Sequence, residues 1–193
     1  MKKIAGIIVV VVTVLLLVLA YFGLFAPVKI SEETAGPFWL VYDKYIGEYK
    51  NVGPVMDKLY NDLKNDGIVT TKGFGIYYDN PEKVDKDKLR SIVGCILDSK
   101  DQSKIDEIGK KYNLKQYPAS KSAICNFPFK GMPSIIIGLI KVYPKLTKHM
   151  NDCKYPEMPI MEIYDTPGQV IQYIVPIGLD KKYFDSFLDD IRK

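Results

Sequence analysis

The sequence predicts an α+β fold: two tandem strand-helix-strand-strand units forming one pseudo-symmetric antiparallel sheet domain, plus one N-terminal transmembrane helix. The pattern Tyr-Asp-x-Pro occurs twice, at residues 78–81 and 164–167, and each copy follows an apolar stretch. Each also lies downstream of an amphipathic segment that begins at a proline, Pro54 or Pro133. Residues 4–25 carry no charge. A repeated supersecondary unit predicts a ligand site at the seam between its copies.

The N-terminal apolar segment is long enough to cross a bilayer. About 20 apolar residues match the hydrocarbon core, whereas the apolar region of a cleaved signal peptide has about 7–15. Residues 18–20 (Val-Leu-Ala) resemble a cleavage site, but the apolar run continues to Phe25. We therefore expect residues 1–25 to be an uncleaved anchor and residues 26–37 a polar tether.

The charges that flank this segment predict its orientation. Lys2 and Lys3 precede it, and only Lys29 follows closely, beside two glutamates. By the positive-inside rule the N-terminus lies in the cytoplasm and the domain is extracytoplasmic. The sequence thus predicts a single-pass membrane protein.

The folded domain is predicted over residues 38–180, with units at about 38–100 and 115–180. The first unit is expected to contain a strand at 38–46, a helix from Pro54 to about Leu63, and strands at 74–78 and 92–97. The second is expected to contain a strand at 121–127, a helix from Pro133 that Pro144 ends or kinks, and strands at 160–164 and 170–177. A short helix at 104–112 connects the units, and residues 181–193 form a C-terminal helix.

Composition excludes several function classes. Outside the anchor the lysines alternate with acids and the net charge is close to zero, so we expect no nucleic-acid binding. There is one histidine, His149, and no nucleotide-binding or zinc-protease motif, so we expect no metal and no cofactor. Cys95 and Cys125 lie in apolar runs typical of buried thiols; a disulfide between two of the three cysteines stays an alternative.

The remaining signal is an excess of aromatic residues around the predicted hairpins. If Tyr164 pairs with Val170, Glu162 lies opposite Gln172, and both share one sheet face with Tyr164. One carboxylate among aromatic rings suits an apolar or weakly cationic ligand; a solvated edge or a satisfied buried pair is the alternative. The expected ligand-binding residues are Trp39, Tyr45, Phe74, Ile76, Tyr78, Glu162, Tyr164 and Gln172.

Several motifs resemble a known family. The doubled unit, Gly53-Pro54 and the closing Gln172-Tyr-Ile-Val-Pro176 are similar to GyrI-like small-molecule-binding domains, which also form effector modules of AraC- and MerR-type regulators. A more detailed likeness is to the testis-expressed, single-pass membrane branch of that family, which includes an autophagy receptor of the endoplasmic reticulum. Its residues here are 77–81, 93–97, 127–129, 142–144 and 162–164.

The resemblance has two departures. Many GyrI-like domains carry a glutamate four residues before the closing proline, where this chain has Gln172, an amide that cannot act as a general base. The receptor role depends on a long C-terminal tail, and this chain stops at Lys193 without one, so we expect that role not to carry over. The receptor also has its domain in the cytosol, opposite to the orientation that the flanking charges predict here.

We therefore expect a membrane-anchored, non-catalytic domain that binds a small molecule in an aromatic cleft between the units. Two alternatives remain, and both come from other classes. One is a hydrolase that uses a cleft carboxylate, Glu162. The other is a membrane-tethered module that binds a protein partner and whose cleft is filled.

Overall fold

The computed structural model describes residues 2–189, without the side chains of residues 99, 100 and 102. The helices are α1 Lys2–Tyr21, α2 Gly53–Asn65, α3 Ile105–Lys111, α4 Met132–Asp152 and α5 Lys181–Asp189. The strands are β1 Ser31–Ala35, β2 Phe38–Ile46, β3 Lys72–Tyr77, β4 Arg90–Ile96, β5 Leu114–Tyr117, β6 Ser120–Pro128, β7 Ile160–Asp165 and β8 Val170–Pro176. The last four residues of the predicted C-terminal helix, 190–193, lie outside the described range.

All eight strands form one curled antiparallel sheet in the order β1-β6-β8-β7-β3-β4-β2-β5. The first unit is β2-α2-β3-β4 and the second is β6-α4-β7-β8. Within each unit the first strand pairs with the last, and the second strand of one unit, β3, pairs with the second strand of the other, β7. This arrangement confirms the α+β fold and the doubled unit.

The two faces of the sheet are covered differently. On one face α2 packs on β2 and β4, and α4 packs on β6 and β8. On the other face α5 inserts Phe184 and Phe187 into the main apolar core, and the Phe187 ring lies 5.2 Å from that of Tyr42. The helices of the two units therefore share one face, and each covers the outer strands of its own unit.

The N-terminal helix α1 is long and apolar enough to cross a membrane, with a mean hydropathy of 3.1. All its described residues are exposed or half-buried. The segment after it is attached to the domain, because the ammonium group of Lys141 on α4 donates hydrogen bonds to the carbonyl oxygens of Gly23, Leu24 and Ala26. Strand β1, which pairs with β6, occupies part of the predicted polar tether.

Of the two outcomes predicted for Pro144, an end or a kink, the end is wrong, because helix α4 continues past this residue. It continues for eight residues to Asp152. Pro144 removes the helical hydrogen bond to the carbonyl of Ile140, a residue that is 71% exposed. Beyond the proline, Leu146 and Met150 are buried against the sheet, and this packing stabilises the extra turns.

The repeated motif is structural, as its residue types suggest. Asp79 accepts hydrogen bonds from the backbone N–H and the guanidinium group of Arg90, while Asp165 accepts one from the N–H of Gly168. Both aspartates thus stabilise turns. The three cysteines are unpaired, and Cys95 and Cys125 are buried as predicted.

Leu146 provides a test of the helix beyond Pro144. Its side chain has no exposed area, so Leu146→Ala should lower the free energy of unfolding by about 2–5 kcal/mol. Leu139→Ala, on the same helix but 41% exposed, should cost less than about 1 kcal/mol. Chemical denaturation of the full chain in nonionic detergent measures both. Equal losses in the two variants contradict the helix as described.

Candidate functional site

A cavity of about 1970 Å³ opens on the sheet face that carries α2 and α4. Its floor includes residues of β3 and β7, the central strands, and its two walls are the helices of the two units. The cavity therefore lies at the seam predicted from the repeat. Its size exceeds the roughly 300–1,000 Å³ of common small-molecule sites.

The wall formed by α4 is apolar and open. Met132, Ile136, Leu139 and Ile140 line the cavity and are 41–71% exposed. On the opposite wall α2 contributes Met56 and Tyr60. Apolar side chains exposed at a concave surface are typical of ligand sites.

One carboxylate lies in the floor of this cavity. Glu162 on β7 is 1% exposed. Its Oε1 accepts a hydrogen bond from the Tyr143 hydroxyl at 2.5 Å, and its Oε2 accepts one from the Tyr164 hydroxyl at 2.6 Å. The Tyr164 hydroxyl also lies 3.1 Å from that of Tyr77. Both carboxylate oxygens therefore have partners, as a buried acid requires.

The pairing of β3 with β7 determines which residues lie next to Glu162 and Tyr164. Gly75 on β3 is directly opposite Glu162 on β7, and Gly73 is opposite Tyr164. A Cβ at Gly75 would lie 2.7 Å from the Tyr77 ring, so a larger residue there displaces that ring. The two glycines leave space above the central strands, and Tyr77 and Tyr164 occupy it.

Burial controls the ionisation of this group. Loss of hydration raises the pKa of the Glu162 carboxyl, and the hydrogen bonds from Tyr143 and Tyr164 partly offset the rise. Burial, together with the charge of Glu162, raises the pKa of both tyrosines well above the ordinary value. The tyrosines thus remain neutral donors, and a positive ligand would favour the ionised glutamate.

The tyrosine group extends toward the first unit. The ring of Tyr49 lies 4.8 Å from the ring of Tyr77, in an edge-to-face arrangement. The Tyr49 hydroxyl donates to a backbone carbonyl, that of Asp79 at 3.0 Å or Arg90 at 3.1 Å, and accepts from the N–H of Asp79 at 2.9 Å. Burial raises its pKa to about 12. We call Tyr49, Tyr77, Tyr143, Glu162 and Tyr164 the cleft cluster.

Three of the eight predicted ligand-binding residues line the cavity: Tyr78, Glu162 and Tyr164. Tyr78 does so while its hydroxyl donates to the carbonyl of Phe184 on α5. Trp39 packs beside α2 in a separate core cluster. Tyr45 lies on β2, which β3 and β4 separate from β7.

The other three residues point to the opposite face; a wrong register explains Gln172, and a face assignment carried over from the second unit to the first explains Phe74 and Ile76. Tyr164 pairs with Ile171, and Glu162 pairs with Tyr173, where the prediction paired Tyr164 with Val170 and Glu162 with Gln172. Since a slip of one residue reverses a strand's faces, Gln172 lies on the far side, where it donates to Asn126. Phe74 and Ile76, fully buried in the core, lie on that side too.

Sequence reasoning missed Tyr49, Tyr77 and Tyr143. Two signals were available for the last two. Gly73 and Gly75 alternate in one strand, which indicates that something packs closely on that face, and Tyr77 continues the same alternation. Tyr143 lies at helical spacing from Ile136 and Ile140 on α4, so one helix face carries all three.

Comparisons of sequence find distant relatives. The chain is 24% identical over 189 residues to testis-expressed protein 264 of Homo sapiens, covering 94% of this chain and 58% of that protein. It is 26% identical over 172 residues to the homolog from Mus musculus, covering 85% of this chain and 53% of that protein. The chain thus spans little more than half the length of these curated relatives. No protein-family model matches it.

Comparisons of structure identify the fold. The crystal structure of the EcmrR C-terminal domain aligns with a TM-score of 0.51 and 13% identity, over 77% of this chain and 96% of that chain. EcmrR in a cryo-EM complex with DNA aligns with a TM-score of 0.56 and 11% identity, over 79% and 58%. The fold resembles that of GyrI-like effector-binding domains. The expectation that this chain binds no nucleic acid stays a prediction.

The raised pKa of Glu162 predicts a pH dependence of stability. Between its ordinary value of 4.5 and its raised value, the folded state binds more protons than the unfolded state, so this group's contribution falls as the pH rises. Glu162→Gln removes that contribution. The variant should therefore gain stability relative to the unmodified protein as the pH increases from 4.5 through the raised pKa. Denaturation of both proteins across this range measures the difference; a difference that stays constant or reverses sign contradicts it.

Proposed function

We propose that this chain is a membrane-anchored, non-catalytic domain that binds a small, largely apolar molecule in the cavity between its two units. The observation that carries the proposal is the open cavity with an apolar α4 wall and one buried carboxylate in its floor. The likeness of the fold to GyrI-like small-molecule-binding domains supports it. Helix α1 supports the anchoring, because its length and hydropathy suit a bilayer.

The cleft cluster favours an apolar ligand with a delocalised positive charge. Glu162 supplies the negative charge, while Tyr49, Tyr77, Tyr143 and Tyr164 supply aromatic rings, whose faces attract cations. A cation in the cavity offsets the desolvation that disfavours the carboxylate. The buried carboxylate of Glu162 therefore recognises the charge, and the apolar residues of the walls contact the apolar part of the ligand.

A hydrolase is the second candidate, because the carboxylate lies within hydrogen-bond distance of two tyrosine hydroxyls. A glutamate that activates water needs an oxygen that water can reach. Here each oxygen already accepts a tyrosine hydrogen bond and the side chain is 1% exposed, which favours binding over catalysis. A membrane-tethered protein-interaction module is favoured less, because it requires a filled cleft.

Two probes test the proposed site in the full chain in nonionic detergent. N-phenyl-1-naphthylamine is an uncharged apolar fluorophore, and tetraphenylphosphonium is a bulky apolar cation. Both should bind and raise the melting temperature. Tyr164→Ala should leave the fold intact. It should remove the thermal stabilisation by either probe, because it removes a ring from the cavity floor and a hydrogen-bond donor to Glu162.

Two further variants define the specificity. Glu162→Gln should lower the affinity for tetraphenylphosphonium by about tenfold, equal to about 1.4 kcal/mol, and leave the affinity for the uncharged probe unchanged. Tyr45→Ala is the matched control, a tyrosine on the same sheet that does not line the cavity, and should bind both probes normally. If the protein with no substitution binds neither probe, or Tyr45→Ala loses binding as Tyr164→Ala does, the proposed site is wrong.

A further inference from the structure

A second group of polar side chains lies at the far end of α4, away from the cleft cluster. It consists of Glu32 on β1, His149 in the last turn of α4, and Cys153 directly after that helix. The carboxylate oxygen, the imidazole nitrogen and the thiol sulfur all lie within 4.8 Å of one another. Because Glu32 is 117 residues from His149, sequence spacing gave no sign of this group.

The separations suit a tetrahedral metal ion. Zn²⁺ with bonds of about 2.0 Å to nitrogen and oxygen and 2.3 Å to sulfur holds nitrogen and oxygen ligands about 3.3 Å apart, and nitrogen and sulfur about 3.5 Å apart. Here His149 Nε2 lies 3.2 Å from Glu32 Oε1 and 4.0 Å from Cys153 Sγ. Cys153 Sγ is thus about half an ångström too far from His149 Nε2 for a bound ion. The sulfur and the Glu32 carboxylate lie within 4.8 Å and must come to about 3.5 Å, so the exposed Cys153 has to move toward both ligands when the ion binds.

The surroundings hold these ligands in place. Tyr155 donates to Glu32 Oε1 at 3.0 Å, and Lys121 binds the other oxygen, Oε2, at 2.8 Å. After Cys153 the chain turns back through Lys154, which has a φ of 56°. The N–H of Tyr155 then donates to the carbonyl of Met150, as in a Schellman helix end.

We propose that Glu32, His149 and Cys153 bind a Zn²⁺ ion, with the fourth position open to solvent. The donor set selects the metal: a thiolate and an imidazole favour Zn²⁺ over Ca²⁺ or Mg²⁺, which prefer oxygen ligands. One thiolate and one carboxylate also balance the charge of the ion. Lys121 remains paired with the second carboxylate oxygen and orients Glu32. The site joins β1 to the end of α4.

Metal titration of the full chain in nonionic detergent, reduced and treated with a chelator, tests the site. One equivalent of Zn²⁺ should bind, in competition with a chromophoric chelator, and raise the melting temperature. One equivalent of Co²⁺ should give visible bands of a tetrahedral ion and a near-ultraviolet band from charge transfer between thiolate and cobalt.

Substitutions identify the ligands. Cys153→Ser should abolish the charge-transfer band. Cys153→Ser and His149→Ala should each lower the affinity for Zn²⁺ by more than about 100-fold, which exceeds the loss common when a residue that only hydrogen-bonds to a metal ligand is removed. Glu32→Gln should weaken Zn²⁺ by at least about tenfold, while Glu33→Gln, its exposed neighbour on β1, should not. If the cluster has only a structural role, Glu32→Gln changes the stability of the protein, and no metal binds. The proposal is overturned if no equivalent binds, or if Cys153→Ser keeps the band.

Discussion

The pairing of β3 with β7 is the interaction on which the rest of this fold depends. It joins the two units into one sheet, and it leaves the central strands uncovered on one face, because α2 packs on β2 and β4 while α4 packs on β6 and β8. Gly73 and Gly75 on β3 have no side chains to fill the space above these strands. A cavity at the seam is thus a consequence of how each unit buries its own helix.

The two units differ at the pair of residues on which the cleft cluster depends. Gly75 is directly opposite Glu162, so one unit contributes no side chain and the other a carboxylate. Two carboxylates at directly opposed positions repel each other and raise each other's pKa. With glycine in one unit, a single acid is buried and the tyrosines of both units can surround it: Tyr77 from the first, Tyr143 and Tyr164 from the second.

The sequence allowed prediction of the units and of helices α2 and α5, because each depends on local periodicity. The cavity-lining face was not predictable from the same signals. In the structure Asp165 pairs with Val170, so the loop between β7 and β8 has four residues, 166–169. The predicted pair of Tyr164 with Val170 would leave five. That one residue reversed the assignment of Gln172, since side-chain direction along a strand has a period of two. Long-range partners such as Glu32 and His149 leave no local pattern at all.

Helix α4 contacts the three regions of the molecule to which the proposals assign a role. Ile136, Ile140 and Tyr143 face the cavity, Lys141 binds the carbonyls that follow α1, and His149 contacts Glu32 on β1. The packing of Leu146 and Met150 keeps the helix continuous past Pro144, so these contacts belong to one rigid element. A shift of α4 that widens the cavity therefore strains its contacts with both β1 and the segment that follows α1. In the proposed function, a ligand that needs a wider cavity must offset that strain, so the contacts of Lys141 and His149 contribute to the selectivity proposed for the cavity.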